Sequence, residues 1–110
     1  MDAGAAIEAR NNVGATPLTL AAAKSTRPEI VSLLLAKGAE INAKSNGGLT
    51  PLMHAARESS SPEIVSLLLD AGADALAKSK EGKKAIDYAQ INRNLKGTAA
   101  YKDLLQRTWE

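Results

Sequence analysis

Residues 28–35 read PEIVSLLL, and residues 62–69 repeat the same eight letters 34 positions further along the chain. Two other pieces return with this spacing: Thr16-Pro17-Leu18 at residues 50–52, and Gly38-Ala39 at residues 72–73. Self-similarity at a fixed period of this length is typical of a solenoid, in which each unit buries its apolar face against its neighbours. The sequence therefore predicts one repeat domain.

The start of each unit predicts a short helix. Thr16 and Thr50 are suitable N-caps, and the proline that follows each of them suits the first helical position. Alanines follow in both copies, and their small side chains allow a neighbouring helix to approach closely.

A second helix is predicted to begin at Pro28 and at Pro62, after a polar break. Ser61 is a good N-cap for the second copy. Arg27 is a poor one, so Thr26 is predicted to cap the first copy. Helical spacing places Ile30, Val31, Leu34 and Leu35 on the buried face.

In the second copy, Leu68 is predicted to be fully buried between units. Gly38 and Gly72 are predicted to end these second helices in a left-handed turn.

This pattern resembles the ankyrin repeat, and the resemblance covers nearly the whole chain. It is carried by Gly14, Thr16-Pro17-Leu18, Ala21-Ala22, Glu29-Ile30-Val31, Leu34-Leu35 and Gly38-Ala39, together with their partners from Gly48 to Ala73. It implies an all-α solenoid of stacked helix-turn-helix units with short β-hairpin-like finger loops. The units would be the tail of a truncated repeat (1–10), two full repeats (11–44 and 45–78) and a C-terminal capping repeat (79–110).

The chain departs from the family pattern in three ways. The period is one residue longer than usual. The usual histidine after Thr-Pro-Leu is replaced by Thr19 and Met53. The finger loops are therefore predicted to lose some of the polar contacts that hold them. In the last unit a longer loop from Asn92 to Thr98 delays the second helix, which is matched from Ala100 onward. A polar outer face is expected for this capping unit.

Composition excludes several classes of function. Among 110 residues there is no cysteine and one histidine, which rules out disulfides, thiolate zinc sites and multi-histidine metal sites. The start of the chain lacks a signal peptide pattern, and no apolar run is long enough to span a bilayer. These features predict a protein without a membrane partner, located in the cytoplasm.

No residues assemble into a predicted catalytic site. His54 is expected to be partly buried and bonded to a nearby backbone group, because nothing in the sequence ties a serine or a carboxylate to it. No glycine-rich phosphate loop is present. The sequence predicts a non-enzymatic protein without a cofactor or a metal.

The resemblance implies instead a concave protein-binding surface, made by the tips of the turns and the outward face of the first helices. The family-variable positions fall on Asn12, Val13, Ala15, Ala23, Lys24, Lys44, Asn46, Gly47, Leu49, Arg57, Glu58, Lys78, Lys80, Glu81 and Lys83.

Basic residues recur on this side, because Arg10, Lys44 and Lys78 occupy one position in successive units. This basic stripe either aids solubility or binds an acidic protein segment. Lys+Arg exceeds Asp+Glu by only 14 to 12 and aromatics make up 3% of the chain, which disfavours a nucleic-acid partner.

Two further expectations concern the N-terminal end. The chain begins at the Gly-Ala that ends a unit, so an engineered or truncated ankyrin scaffold with no natural partner is the alternative interpretation. Residues 1–10 are expected to form an extended arm that leaves Leu20, Ala23 and Leu33 exposed. Such an uncapped end predicts a weak homodimer.

Overall fold

The structure is a computed structural model that describes residues 9–109, with the backbone alone at Trp109. Over this range the chain forms six helices and no strand: α1 (Pro17–Lys24), α2 (Pro28–Ala36), α3 (Pro51–Glu58), α4 (Pro62–Asp70), α5 (Ala85–Ala89) and α6 (Ala99–Trp109). None of the helices in this part of the chain is long and apolar enough to cross a membrane.

The helices form two layers. In one layer α1 packs against α3 and α3 against α5, and in the other α2 packs against α4 and α4 against α6. The two helices of each unit also contact each other. The predicted all-α solenoid of helix pairs is thereby confirmed.

The predicted caps of the first helices are confirmed. Thr16 and Thr50 have extended backbone conformations, and their hydroxyls accept hydrogen bonds from the amides of Thr19 and Met53, both at 3.3 Å. Each bond satisfies one of the amides that the first turn of a helix leaves without an intrahelical partner.

Of the predicted caps of the second helices, Ser61 is confirmed in position and Thr26 is wrong. The cap of α2 is Arg27 rather than Thr26, and Ser61 at the cap of α4 accepts no hydrogen bond from the helix. The reason lies two residues earlier, where Ser25 and Ser59 accept hydrogen bonds from the amides of Arg27 and Ser61, both at 3.0 Å. These serine turns hold the break between the two helices of a unit.

Both second helices end as predicted. Gly38 and Gly72 have φ of +95° and +103°, the left-handed region that costs a residue with a Cβ atom extra energy. The turn brings the amide of Ala39 to the carbonyl of Leu34 at 3.1 Å, and the amide of Ala73 to that of Leu68 at 2.9 Å. These bonds give hydrogen-bond donors to carbonyls that have no further partner within the helix.

Burial differs between the two identical octapeptides. In α4, Ile64, Val65, Leu68 and Leu69 are all buried, and Leu68 is fully buried as predicted. In α2, all of whose residues the structure describes, Val31 is the one buried side chain and Ile30 is 41% exposed. The prediction of the same buried face in both copies is therefore wrong for the first copy. The physical reason is that α4 has a neighbouring helix of its layer on each side, whereas the described residues supply α2 with a neighbour on one side.

The last unit has the predicted long loop and late second helix. Helix α6 begins at Ala99, and Thr98 accepts a hydrogen bond from the amide of Tyr101 at 3.1 Å. Across the loop, the buried Asn92 side chain donates to the carbonyls of Ala56 and Ser59, both at 3.0 Å. This amide joins the last unit to the C-terminal end of α3.

Candidate protein-binding surface

The three tight turns that precede the first helices form the framework of the predicted surface. These finger turns, residues 11–15, 45–49 and 79–83, are each closed by one backbone hydrogen bond from the first residue to the last, at 3.1, 2.9 and 2.9 Å. A glycine with φ between +75° and +79° occupies the fourth position of every turn. Each turn resembles the end of a β-hairpin in which only one pair of residues is hydrogen-bonded across the two arms. One such pair is too short to count as a strand, so no strand is present in the part of the chain that the structure describes.

Adjacent finger turns are hydrogen-bonded to each other. The amide of Asn46 donates to the carbonyl of Val13 at 2.9 Å, and 34 residues later the amide of Lys80 donates to that of Gly47 at 3.0 Å. The backbones approach so closely that a Cβ atom at Gly14 would collide with the Asn46 side chain. The finger turns are therefore joined in a continuous, hydrogen-bonded ladder.

Each finger turn is also held by a polar side chain. Ser45 Oγ lies 3.2 Å from His54 Nε2, and in the next unit Tyr88 donates to Ser79 Oγ at 2.9 Å. In the first unit Asn11 Oδ1 accepts from two amides of its own turn at 3.0 Å. The predicted loss of some polar contacts that hold the finger loops is wrong, because other side chains provide such contacts.

His54 has a different partner from the one predicted. Its ring bonds to the Ser45 hydroxyl rather than to a backbone group, and its Nδ1 lies 3.7 Å from Glu58 Oε2. This order of groups is that of a serine-histidine-acid triad, but 3.7 Å exceeds hydrogen-bond length. Tyr88 makes the same contact to the finger turn without an imidazole. The contact between His54 and Ser45 therefore has a structural explanation, which is to hold the finger turn.

Glu58 is the centre of a charged cluster on the first helices. One carboxylate oxygen lies 2.7 Å from Lys24 Nζ, and the other lies 2.8 Å from Arg57 Nη2. Partial burial works to raise the pKa of Glu58, but the hydrogen bonds and charges of Lys24 and Arg57 outweigh it and lower the pKa to about 2. Glu58 is thus ionised at neutral pH and restrains the Arg57 side chain.

The pKa of His54 is lowered from its ordinary value of 6.5. Burial is the main cause, followed by the charge of Arg57, and the attraction of Glu58 opposes both. The imidazole is therefore neutral at pH 7 in the folded protein.

These shifts predict a loss of stability in acid. A lowered folded pKa means that the contribution of His54 is complete above pH 6.5 and decreases as the pH falls below it. The contribution of Glu58 decreases further below pH 4.5. Thermal unfolding across this range is expected to show a midpoint that falls with pH. His54→Leu, which copies the twin residue Leu20, should flatten the decrease between pH 7 and 5, and an unchanged slope would contradict the assignment.

Most of the predicted site residues lie at the surface. Two are half-buried, Leu49 and Glu58. Ala15 and Ala23 are only 2% and 6% exposed, so a partner would not reach their side chains. Both side chains are small and allow close packing at and beside α1. The pattern of variable positions in the family does not reveal this burial. The exposed members are Asn12, Val13, Lys24, Lys44, Asn46, Gly47, Arg57, Lys78, Lys80, Glu81 and Lys83.

The structure brings together some of these residues and shows two features that sequence reasoning missed. Asn46 Nδ2 donates to the carbonyl of Asn12 at 3.3 Å, and Lys24, Arg57 and Glu58 form the charged cluster. Sequence reasoning missed Ile91, which is 74% exposed. It also missed the role of Ser45 as the partner of His54. The 34-residue period could have found Ile91, because it falls on the position of Arg57 in the next unit.

Members of the basic stripe differ in their environment. Arg10 donates to the carbonyls of Gly14 and Lys44, both at 2.7 Å, and so joins the first finger turn to the residue that precedes the second. Lys44 and Lys78 are exposed, and the Lys83 ammonium lies 5.9 Å from the centre of the Tyr88 ring. Arg10 is thus part of the framework as well as a surface charge.

The expectation for the N-terminal end is confirmed in part. Leu20 and Leu33 are 41% and 55% exposed, but Ala23 is buried, and Ile30 is exposed instead. The arm proposed for residues 1–10 falls almost entirely outside the described residues. The homodimer through this end therefore stays a prediction.

Comparisons with known proteins agree with this architecture. The family model described as ankyrin repeats, in three copies, matches residues 1–79. A search of curated proteins found no match. Within residues 9–109, no group of three or more histidine and acidic side chains is arranged to hold a metal ion.

Proposed function

The chain belongs to the ankyrin-repeat family, whose members are generally protein–protein interaction modules, and on that premise we propose that it is a non-enzymatic module that binds a protein partner. The binding surface would be the concave face formed by the finger turns and the first helices. The observation that carries this proposal is the hydrogen-bonded ladder from Val13 to Lys80. A surface that is already ordered loses little conformational freedom on binding.

The charge of this surface favours an acidic segment as the partner. Lys44, Lys78, Lys80 and Lys83 are exposed along the finger turns, whereas the Glu58 carboxylate is already paired with Lys24 and Arg57. Basic side chains in this arrangement attract an acidic chain and orient it during encounter. The attraction weakens as salt is added.

An interface also needs side chains whose burial adds affinity, and Arg57 and two apolar residues supply them. Val13 is 57% exposed and Ile91 is 74% exposed, and arginine is enriched at the centres of protein interfaces. Burial of these side chains would add affinity that salt does not screen. The proposed partner is therefore an acidic segment that also carries apolar residues.

Charge reversal tests the proposal. A library of displayed peptides is selected against the whole chain, and the affinity of the selected peptides is measured for Lys44→Glu/Lys78→Glu. We expect at least a ten-fold loss of affinity, about 1.4 kcal/mol, and a shallower salt dependence. Folding should change by no more than about 0.5 kcal/mol, because both lysines are exposed.

The matched control is Lys96→Glu/Lys102→Glu, which makes the same change of charge at exposed positions just before and within α6, the second helix of the last unit, whereas Lys44 and Lys78 directly precede finger turns. It should retain binding at fixed ionic strength. Equal losses for the two double variants would show that net charge alone is responsible. Selection of no peptide at all would favour the alternative of a scaffold without a partner of its own.

A further inference from the structure

Asn46 differs from the other asparagines in being followed by glycine. An asparagine side chain can be attacked at Cγ by the backbone nitrogen of the next residue, and this lability makes asparagine scarce in proteins adapted to heat. The attack requires the nitrogen to approach Cγ closely, and glycine hinders it least because it has no Cβ atom. Asn46 and Gly47 are both exposed at the tip of the second finger turn.

The backbone nitrogen of Gly47 is available for this attack. Its N–H makes no hydrogen bond with any residue that the structure describes, although its carbonyl accepts from Lys80 at 3.0 Å. The twin position gives the contrast, because Asn12 is followed by Val13, whose N–H donates to Asn11 Oδ1 at 3.0 Å.

The Asn11 side chain is held by the amides of Val13 and Ala15, which donate to its Oδ1, and three further asparagines are also more protected than Asn46. After Asn42 the nitrogen of Ala43 donates to the carbonyl of Glu40 at 3.4 Å, and after Asn94 the nitrogen of Leu95 donates to the carbonyl of Asn92 at 3.1 Å. The Asn92 side chain is itself buried and bonded to two carbonyls.

We propose that Asn46 is a site of spontaneous deamidation. The Gly47 nitrogen forms a bond to Cγ of Asn46, the bond from Cγ to Nδ2 breaks, and the departing nitrogen leaves as ammonia with the proton that Gly47 has lost. The product is a five-membered succinimide. Water then opens one of its two carbonyls and yields aspartate or isoaspartate, with no oxidation or reduction in either step.

Deamidation would loosen the contact between the first two finger turns. Asn46 Nδ2 now donates to the Asn12 carbonyl at 3.3 Å, and a carboxylate in its place repels that oxygen. Isoaspartate also lengthens the backbone beside the Asn46 amide, which donates to Val13 at 2.9 Å. One negative charge is added beside the basic stripe, and any effect of that charge on a partner rests on the proposed function.

The modification is tested on the whole folded chain during storage near body temperature at neutral pH. Peptide mass spectrometry follows the gain in mass at each asparagine as NH2 is replaced by OH, and an isoaspartyl methyltransferase detects isoaspartate. We expect conversion at Asn46 over days to weeks, at least ten-fold faster than at Asn12 or Asn94.

Gly47→Ala is the matched control, because it keeps the amide but hinders the attack. An added Cβ atom would meet Leu49 Cδ1 at 2.9 Å, the end of a flexible side chain that can move, and circular dichroism verifies the fold. We expect at least ten-fold slower conversion in this variant. The proposal is overturned if Asn46 stays intact in the folded chain, or if Gly47→Ala converts at the original rate.

Discussion

Ile64→Ala is expected to lower the free energy of unfolding by about 2–5 kcal/mol, whereas Ile30→Ala should lower it by less than about 1 kcal/mol. The two isoleucines occupy the same place in identical octapeptides, but Ile64 is fully buried and Ile30 is 41% exposed. Loss of the buried side chain removes apolar contacts and leaves a cavity between closely packed helices.

The comparison is made by urea unfolding of the two variants and the original chain. Because a domain of this size has a total stability of about 5–15 kcal/mol, the change at Ile64 should move the midpoint strongly. Leu68→Ala, also at a fully buried position, should resemble Ile64→Ala. Equal losses for Ile30→Ala and Ile64→Ala would show that Ile30 is covered in solution as Ile64 is.

Asn92→Ala is expected to cost about 2–5 kcal/mol. The Asn92 side chain donates to the carbonyls of Ala56 and Ser59, and alanine would leave both without this donor in a buried site. Each buried polar group that loses its partner costs about 1–3 kcal/mol. Ala56 lies in the last turn of α3, where the helix itself has no further amides to offer.

Asn42→Ala is the control for the loss of an asparagine as such. Asn42 Oδ1 accepts one exposed hydrogen bond from the amide of Asp74, so its loss should cost no more than about 0.5 kcal/mol. Thermal unfolding of the two variants measures the difference. An Asn92→Ala midpoint as high as that of Asn42→Ala would contradict a joining role for Asn92.

The local structure followed from the sequence with few errors. The 34-residue period gave the helix pairs, and Thr16, Thr50 and the prolines gave the helix starts. Gly38 and Gly72 marked the helix ends. These features are local, because a cap or a left-handed turn depends on a few neighbouring residues whose backbone geometry is set by sterics and hydrogen bonds.

The candidate site was predicted less completely, since it depends on residues about one period apart. Most of the predicted positions fell at the surface as expected, but Ala15 and Ala23 are buried. Nothing in the sequence near Glu58 shows that Lys24 reaches its carboxylate from the neighbouring unit at 2.7 Å. The pairing of His54 with Ser45, nine residues earlier in the same unit, was missed because it depends on how the finger turn folds back against the first helix.

The sequence by itself therefore determined the repeat, the helices and the turns between them, because these follow from local backbone preferences and a fixed period. Tertiary structure alone decided the burial. Identical residues 28–35 and 62–69 differ in exposure because burial is a property of what packs against a side chain and not of the side chain itself. It also decided that Asn92 would join two units, since a buried amide must find its partners wherever the fold places them.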